Sequence, residues 1–164
     1  MSGIRSYTAV ANARELNSLL HQLQLNRESE LFIRTGEQNA QAAINFYRRV
    51  TEEKIAVRTI APIELDMAAL PIFLAGQDRL IAYRGEIRLT PLKEKLQDSN
   101  KMTETDRSRL WDYQIAEMIA DVSRKSTVSD RYRLNTVGAL HLIKLRLVLN
   151  MNQAIDHGLA TNFA

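Results

Sequence analysis

Pro71 stands near the head of the run Leu70-Pro71-Ile72-Phe73-Leu74, with Gly76-Gln77-Asp78 behind it and Leu80-Ile81-Ala82-Tyr83 beyond. A proline donates no backbone hydrogen bond and fixes φ, so a run that it opens has few places to go. The run is short and continuous, and the Gly-Gln-Asp break carries turn chemistry. The stretch beyond alternates. Ile81, Tyr83 and Ile87 share one face with Gly85, and Ala82, Arg84, Glu86 and Arg88 share the other. Period-two alternation places that charged row on a solvated or edge face. The predicted reading is a strand, a tight turn and an antiparallel strand.

The flanking sequence predicts a small α/β domain. Leu16, Leu19, Leu20 and Leu23, with Val10 and Ala13, form a helical stripe, so a helix is expected from about Thr8 to Leu25, capped by Ser6 or Thr8. Leu31-Phe32-Ile33 reads as a buried strand and Thr35-Gly36-Glu37-Gln38-Asn39 as a loop. A second helix is expected to about Glu53, capped by Asn39, with Ala40, Ala43, Ile44, Tyr47 and Val50 inward. Ile55 to Ile60 is a second strand, rich in β-branched residues. Strand, helix and strand with short joints make a βαβ unit, whose strands are parallel. Ile63 to Ala69 fits a helical turn or a loop, and Thr90-Pro91 opens a short helix carrying Leu92 and Leu96.

Beyond Lys101 the pattern turns helical. Trp111, Ile115, Met118, Ile119 and Val122 form one stripe. Val137 to Leu149 is apolar nearly all round and is expected as a last helix, stopped at His157-Gly158. Such a helix is central in a core or half-covered by a second subunit. Its candidate partner-facing residues are Leu140, Ile143, Leu147 and Met151. The expected division is residues 1–98 as an α/β domain and residues 103–164 as a helical pair packed on it or on a partner.

The chain of 164 residues contains no cysteine, which excludes disulfides, thiolate metal sites and thiol catalysis. His21, His141 and His157 lack a second ligand at metal-binding spacing on one helix face. Glu52 and Glu53 are adjacent and diverge, while Glu104 and Asp106 suit a helix N-terminus. No phosphate loop, dinucleotide glycine spacing or nucleophile elbow is present. The sequence therefore predicts no metal, cofactor or catalytic residue. A net charge of +3 is short of a nucleic-acid footprint, although Arg131-Tyr132-Arg133 and Phe46-Tyr47-Arg48-Arg49 mix bases with aromatics. No apolar run reaches the ~18 residues of a membrane span. Met1-Ser2-Gly3-Ile4-Arg5 lacks a signal-peptide core, so a cytoplasmic location is expected.

The order helix, strand, helix, strand, proline-led strand, hairpin, strand and helix resembles the thioredoxin-like fold. Leu31-Phe32-Ile33, Ile55 to Ile60, Leu70-Pro71-Ile72-Phe73-Leu74, Gly76-Gln77-Asp78-Arg79 and Gly85 carry the resemblance, over about residues 8–98. It implies a central sheet (βαβ, then a β-hairpin and a helix) preceded by one helix and followed by a two-helix tail, with Pro71 cis. Thioredoxins and glutaredoxins carry Cys-x-x-Cys where this chain has Thr35 to Asn39, so redox exchange is not expected. Cysteine-free relatives such as the clock protein KaiB look similar here and bind proteins. By that resemblance Gly36, Glu37, Gln38, Asn39, Leu70 and Pro71 form a candidate protein-binding groove.

The expected function is accordingly a non-enzymatic interaction module, acting as a subunit, adaptor or assembly factor, with a protein partner or as a homo-oligomer. One alternative is an enzyme of glutathione-transferase type. A second is a nucleic-acid binder using the arginine-rich surface.

Overall fold

The computed structural model describes residues 4–26, 28–34, 39–92 and 101–164, and of residues 101–109 the backbone alone. Strand β1 (Arg5–Ala9) leads to helix α1 (Ala13–Leu25). Asn12 caps α1, its side chain accepting a hydrogen bond from the Glu15 amide at 3.2 Å. Leu16, Leu19, Leu20 and Leu23 are buried along one face, as their spacing predicts. The helix does not begin at Thr8. Ser6 and Thr8 belong to β1, which pairs in parallel with β2 (Ser29–Ile33). An edge strand with a mostly exposed, polar sequence carries no apolar period, so nothing local announces it.

The βαβ unit forms as predicted. Helix α2 (Ala40–Glu52) starts at Asn39, whose side chain accepts from the Ala42 amide at 3.0 Å. Strand β3 (Arg58–Ile60) then lies parallel to β2. A short strand β4 (Glu64–Leu65) follows in the stretch that sequence left between a turn and a loop.

The proline-led run is the main correction. Leu70–Leu74 is helix α3, not a strand, and Pro71 sits in its first turn. No cis peptide bond occurs among the described residues, so Pro71 is trans. Proline is tolerated in a first helical turn because the amide it lacks has no partner there in any case. The Asp66 side chain accepts from the Ala69 amide at 3.0 Å, and the Leu70 amide donates to the Asp66 carbonyl at 3.0 Å. All five residues of α3 are buried. Burial on every side removes the amphipathic period, so the run reads equally as a buried strand.

The predicted second hairpin strand is two strands in two sheets. Strand β5 (Asp78–Ile81) lies parallel to β3, whereas β6 (Glu86–Arg88) lies parallel to β4. Between them the chain turns: Gly85 donates to the Ala82 carbonyl at 2.7 Å, and Arg84 has φ 71. The predicted helix after Pro91 falls largely outside the described residues.

Helix α4 (Lys101–Lys125) buries Ile115, Met118, Ile119 and Val122. A 3-10 turn (Asp130–Tyr132) leads to α5 (Thr136–Lys144). The apolar run to Leu149 does not continue as helix. Arg146 takes φ 56, and β7 (Val148–Asn150) pairs antiparallel with β6, Leu149 opposite Ile87. Helix α6 (Met151–Asp156) follows, and Gly158 with φ 78 closes it. The last strand, β8 (Asn162–Phe163), adds in parallel to β5.

One sheet thus has the order β1-β2-β3-β5-β8, all parallel, and the other has β4-β6-β7. A single apolar cluster runs from Ala9 on β1 through α3 to Leu159 and Ala160 before β8. Five parallel strands with a buried helix at the proline replace the thioredoxin-like arrangement.

Candidate functional site

Helices α2 and α4 flank two adjoining cavities, of about 810 and 690 Å3, which share Tyr47 and Asp121. Tyr47 reaches the site because it shares the inward face of α2 with Ala43 and Val50. Trp111 Nε1 donates to Gln41 Oε1 at 2.8 Å and holds the two helices together at one end. The larger cavity is lined by Arg48, Gln114, Glu117, Arg124, Asp130 and Arg133, among others. Gln114 Oε1 is buried there and has no hydrogen-bond partner among the described residues.

The Tyr47 hydroxyl donates to Asp121 Oδ2 over a long 3.4 Å. Burial first, and then the Asp121 charge, push the Tyr47 hydroxyl up to about 12. Burial alone would raise Asp121 as well. Hydrogen bonds from Lys125 and Arg124 outweigh it and hold the carboxyl below its ordinary value. The Lys125 ion pair measures 2.9 Å.

On the floor of the smaller cavity lies Arg79, 9% exposed. Its Nε donates to the Leu159 carbonyl at 2.6 Å, Nη1 to Gly76 at 2.8 Å, and Nη2 to Gly158 at 3.0 Å. Thr161 completes the join, its hydroxyl accepting from the Arg79 amide at 2.8 Å. One side chain therefore fastens the end of α3 to the end of α6. Burial lowers its affinity for the proton.

The residues singled out by sequence are dispersed. Gly36, Glu37 and Gln38 lie outside the described residues. Asn39 caps α2, and its amide donates to the Ala11 carbonyl at 2.9 Å. Leu70 and Pro71 are buried in α3. Ile143 is fully buried in the core, Leu140 and Met151 are half-buried, and Leu147 is 39% exposed. Sequence reading placed Tyr47 inward and gave no role to Asp121 or Arg79. Arg79 becomes a clamp only when β8 lies beside β5, and no local pattern signals that pairing.

No grouping of three or more metal-ligating side chains occurs among the described residues. His157 Nδ1 meets the Tyr132 carbonyl at 2.7 Å. None of the three histidines is hydrogen-bonded to a serine, threonine or carboxylate among the described residues.

No protein-family model matches the sequence, and no curated protein matches it. Solved structures do. ClpP1 from Listeria monocytogenes superimposes with a TM-score of 0.70 at 15% identity, over 98% of this chain and 90% of that one. A point mutant of ClpP1 from the same organism gives 0.70 at 14% identity over the same shares. The chain has a ClpP-like fold.

That likeness overturns the thioredoxin-like assignment and the functional reading built on it. The expected non-enzymatic adaptor, subunit or assembly factor was read from that assignment and is corrected with it. The glutathione-transferase and nucleic-acid alternatives fall with it. With Leu70–Leu74 helical and the following hairpin strand divided between two sheets, the elements that carried the thioredoxin-like resemblance are gone. No helix among the described residues is long and apolar enough to cross a membrane.

Proposed function

We propose that the chain is a peptidase-like enzyme that handles polypeptide substrates as a homo-oligomer in the cytoplasm. The observation that carries this reading is the ClpP-like fold, matched over 98% of the chain. Polypeptide is the substrate class that analogy with a ClpP-like fold suggests. Amide hydrolysis needs an activated nucleophile, a base and donors for the developing oxyanion. None of the histidines is hydrogen-bonded to a hydroxyl among the described residues.

Support for self-association comes from the surface. Val137 on α5 is 78% exposed, Leu145 just after α5 is 56%, and Val148 on β7 is 46%. With Leu140, Leu147 and Met151 they concentrate apolar surface on one segment of chain, and exposed apolar surface of that kind marks association sites. The test is size-exclusion chromatography with light scattering, assaying each fraction on fluorogenic peptides and on an unfolded protein. The expected result is hydrolysis that elutes with a multimer. A pure preparation inert on every substrate overturns the enzymatic reading, and a strict monomer overturns the oligomeric one.

A further inference from the structure

We propose that the 690 Å3 cavity between α2, α4 and the C-terminal segment is a binding site for a ligand that carries an oxyanion, a phosphate or a carboxylate group, held beside Arg79. The first observation is a buried cation that forms no ion pair among the described residues. Arg79 is 9% exposed, yet no carboxylate lies within ion-pair distance of it among the described residues. Its neighbour Asp78 pairs instead with Arg58, at 3.6 Å. A charge removed from water is costly unless an opposite charge meets it.

Carbonyl oxygens satisfy part of the guanidinium. A guanidinium has five N–H groups. Leu159, Gly76 and Gly158 accept from three, and Gln77 accepts from a fourth at 3.4 Å. The remaining N–H, on Nη2, has no protein acceptor among the described residues. Neutral carbonyls orient the group, and its charge is offset only by longer-range attraction to Tyr47 and Asp78, neither of which forms an ion pair with it.

The second observation is the charge of the wall. Lys54, Arg79 and Lys125 line this cavity against one carboxylate, Asp121. Asp121 is already shared between Lys125 and Arg124, so it does not neutralise Arg79. Thr127 also lines the cavity, and its hydroxyl makes no hydrogen bond among the described residues. Cations around a concave site with spare hydroxyl and N–H donors are what an oxyanion requires. The volume exceeds that of a lone phosphate and falls within the range of small-molecule pockets, so the group arrives on a larger ligand.

The test is an amide NMR titration of the full chain with inorganic phosphate and, separately, with acetate, sodium chloride holding ionic strength constant. The expected result is saturable shifts at Gly76, Thr127, Gly158 and Thr161 with at least one anion. Saturation by phosphate alone assigns a phosphorylated ligand, and saturation by acetate assigns a carboxylate. The double variant Lys54→Gln/Lys125→Gln leaves the Arg79 clamp intact and should weaken binding about fivefold. Linear shifts that chloride reproduces, or an unchanged Kd in the double variant, overturn the proposal. That failure leaves the peptidase-like reading standing, because the anion site does not rest on it.

Discussion

At the residue scale, the C-terminal part of the molecule depends on side chains that join distant backbone. Arg79 is the chief of these, because its donors reach carbonyls up to 80 positions away in sequence. Replacing it by leucine leaves several buried carbonyls without donors, and each such group costs about 1–3 kcal/mol. Arg79→Leu should therefore lower the unfolding free energy by about 3 kcal/mol or more, read as a shifted urea midpoint. Tyr47 gives a pH prediction. Its hydroxyl is raised from 10.0 to about 12 in the folded chain. Below the unfolded value both states hold the proton, and the group contributes no pH dependence. As pH rises toward the folded value, the unfolded chain releases the proton first, so stability is lost through that window. Urea titrations from pH 9 to about 12 should show Tyr47→Phe losing less stability than the parent chain. Equal slopes would mean that the hydroxyl is not held neutral by its burial.

At the element scale, a cap locates a boundary when the apolar period follows it directly, as at Asn39 and not at Ser6 or Thr8, which lie in β1. Asn39 was recognised as the cap of α2 because a cap and the period behind it are both local. Helix α6 shows the same logic with two reciprocal bonds. Asn150 Oδ1 accepts from the Gln153 amide at 2.9 Å, and Gln153 Oε1 accepts from the Asn150 amide at 2.9 Å. Asn150→Ala should cost about 1 kcal/mol, seen as a fall of about 2–4 °C in Tm. The elements that sequence misassigned are those whose surroundings override their own preference. Leu70–Leu74 is buried all round, so neither the helical nor the alternating period shows. The run after Val137 splits at Arg146 because β6 offers a partner for Val148–Asn150.

At the scale of the whole molecule, strand β8 adds a fifth strand to the all-parallel sheet. Asn162–Phe163 pair with β5, and the Ala164 amide donates to the Ile81 carbonyl at 2.9 Å. Deleting residues 162–164 exposes the β5 edge and should lower Tm and promote aggregation, measured by thermal unfolding with light scattering. A chain that unfolds at its original temperature would show that β8 adds nothing to the sheet. By itself the sequence determined the leucine face of α1, the parallel βαβ unit with its Asn39 cap, the apolar face of α4 and the absence of any thiol chemistry. These follow from periodicity, capping and residue inventory, which act over a few neighbours. Tertiary structure alone decided that Leu70–Leu74 is a helix, that Arg84 sends the chain into a second sheet, and that β8 closes the first. It also brought Tyr47, Asp121 and Arg79 around one cavity. Each of those outcomes depends on contacts between residues far apart in sequence, and a local pattern carries no record of them.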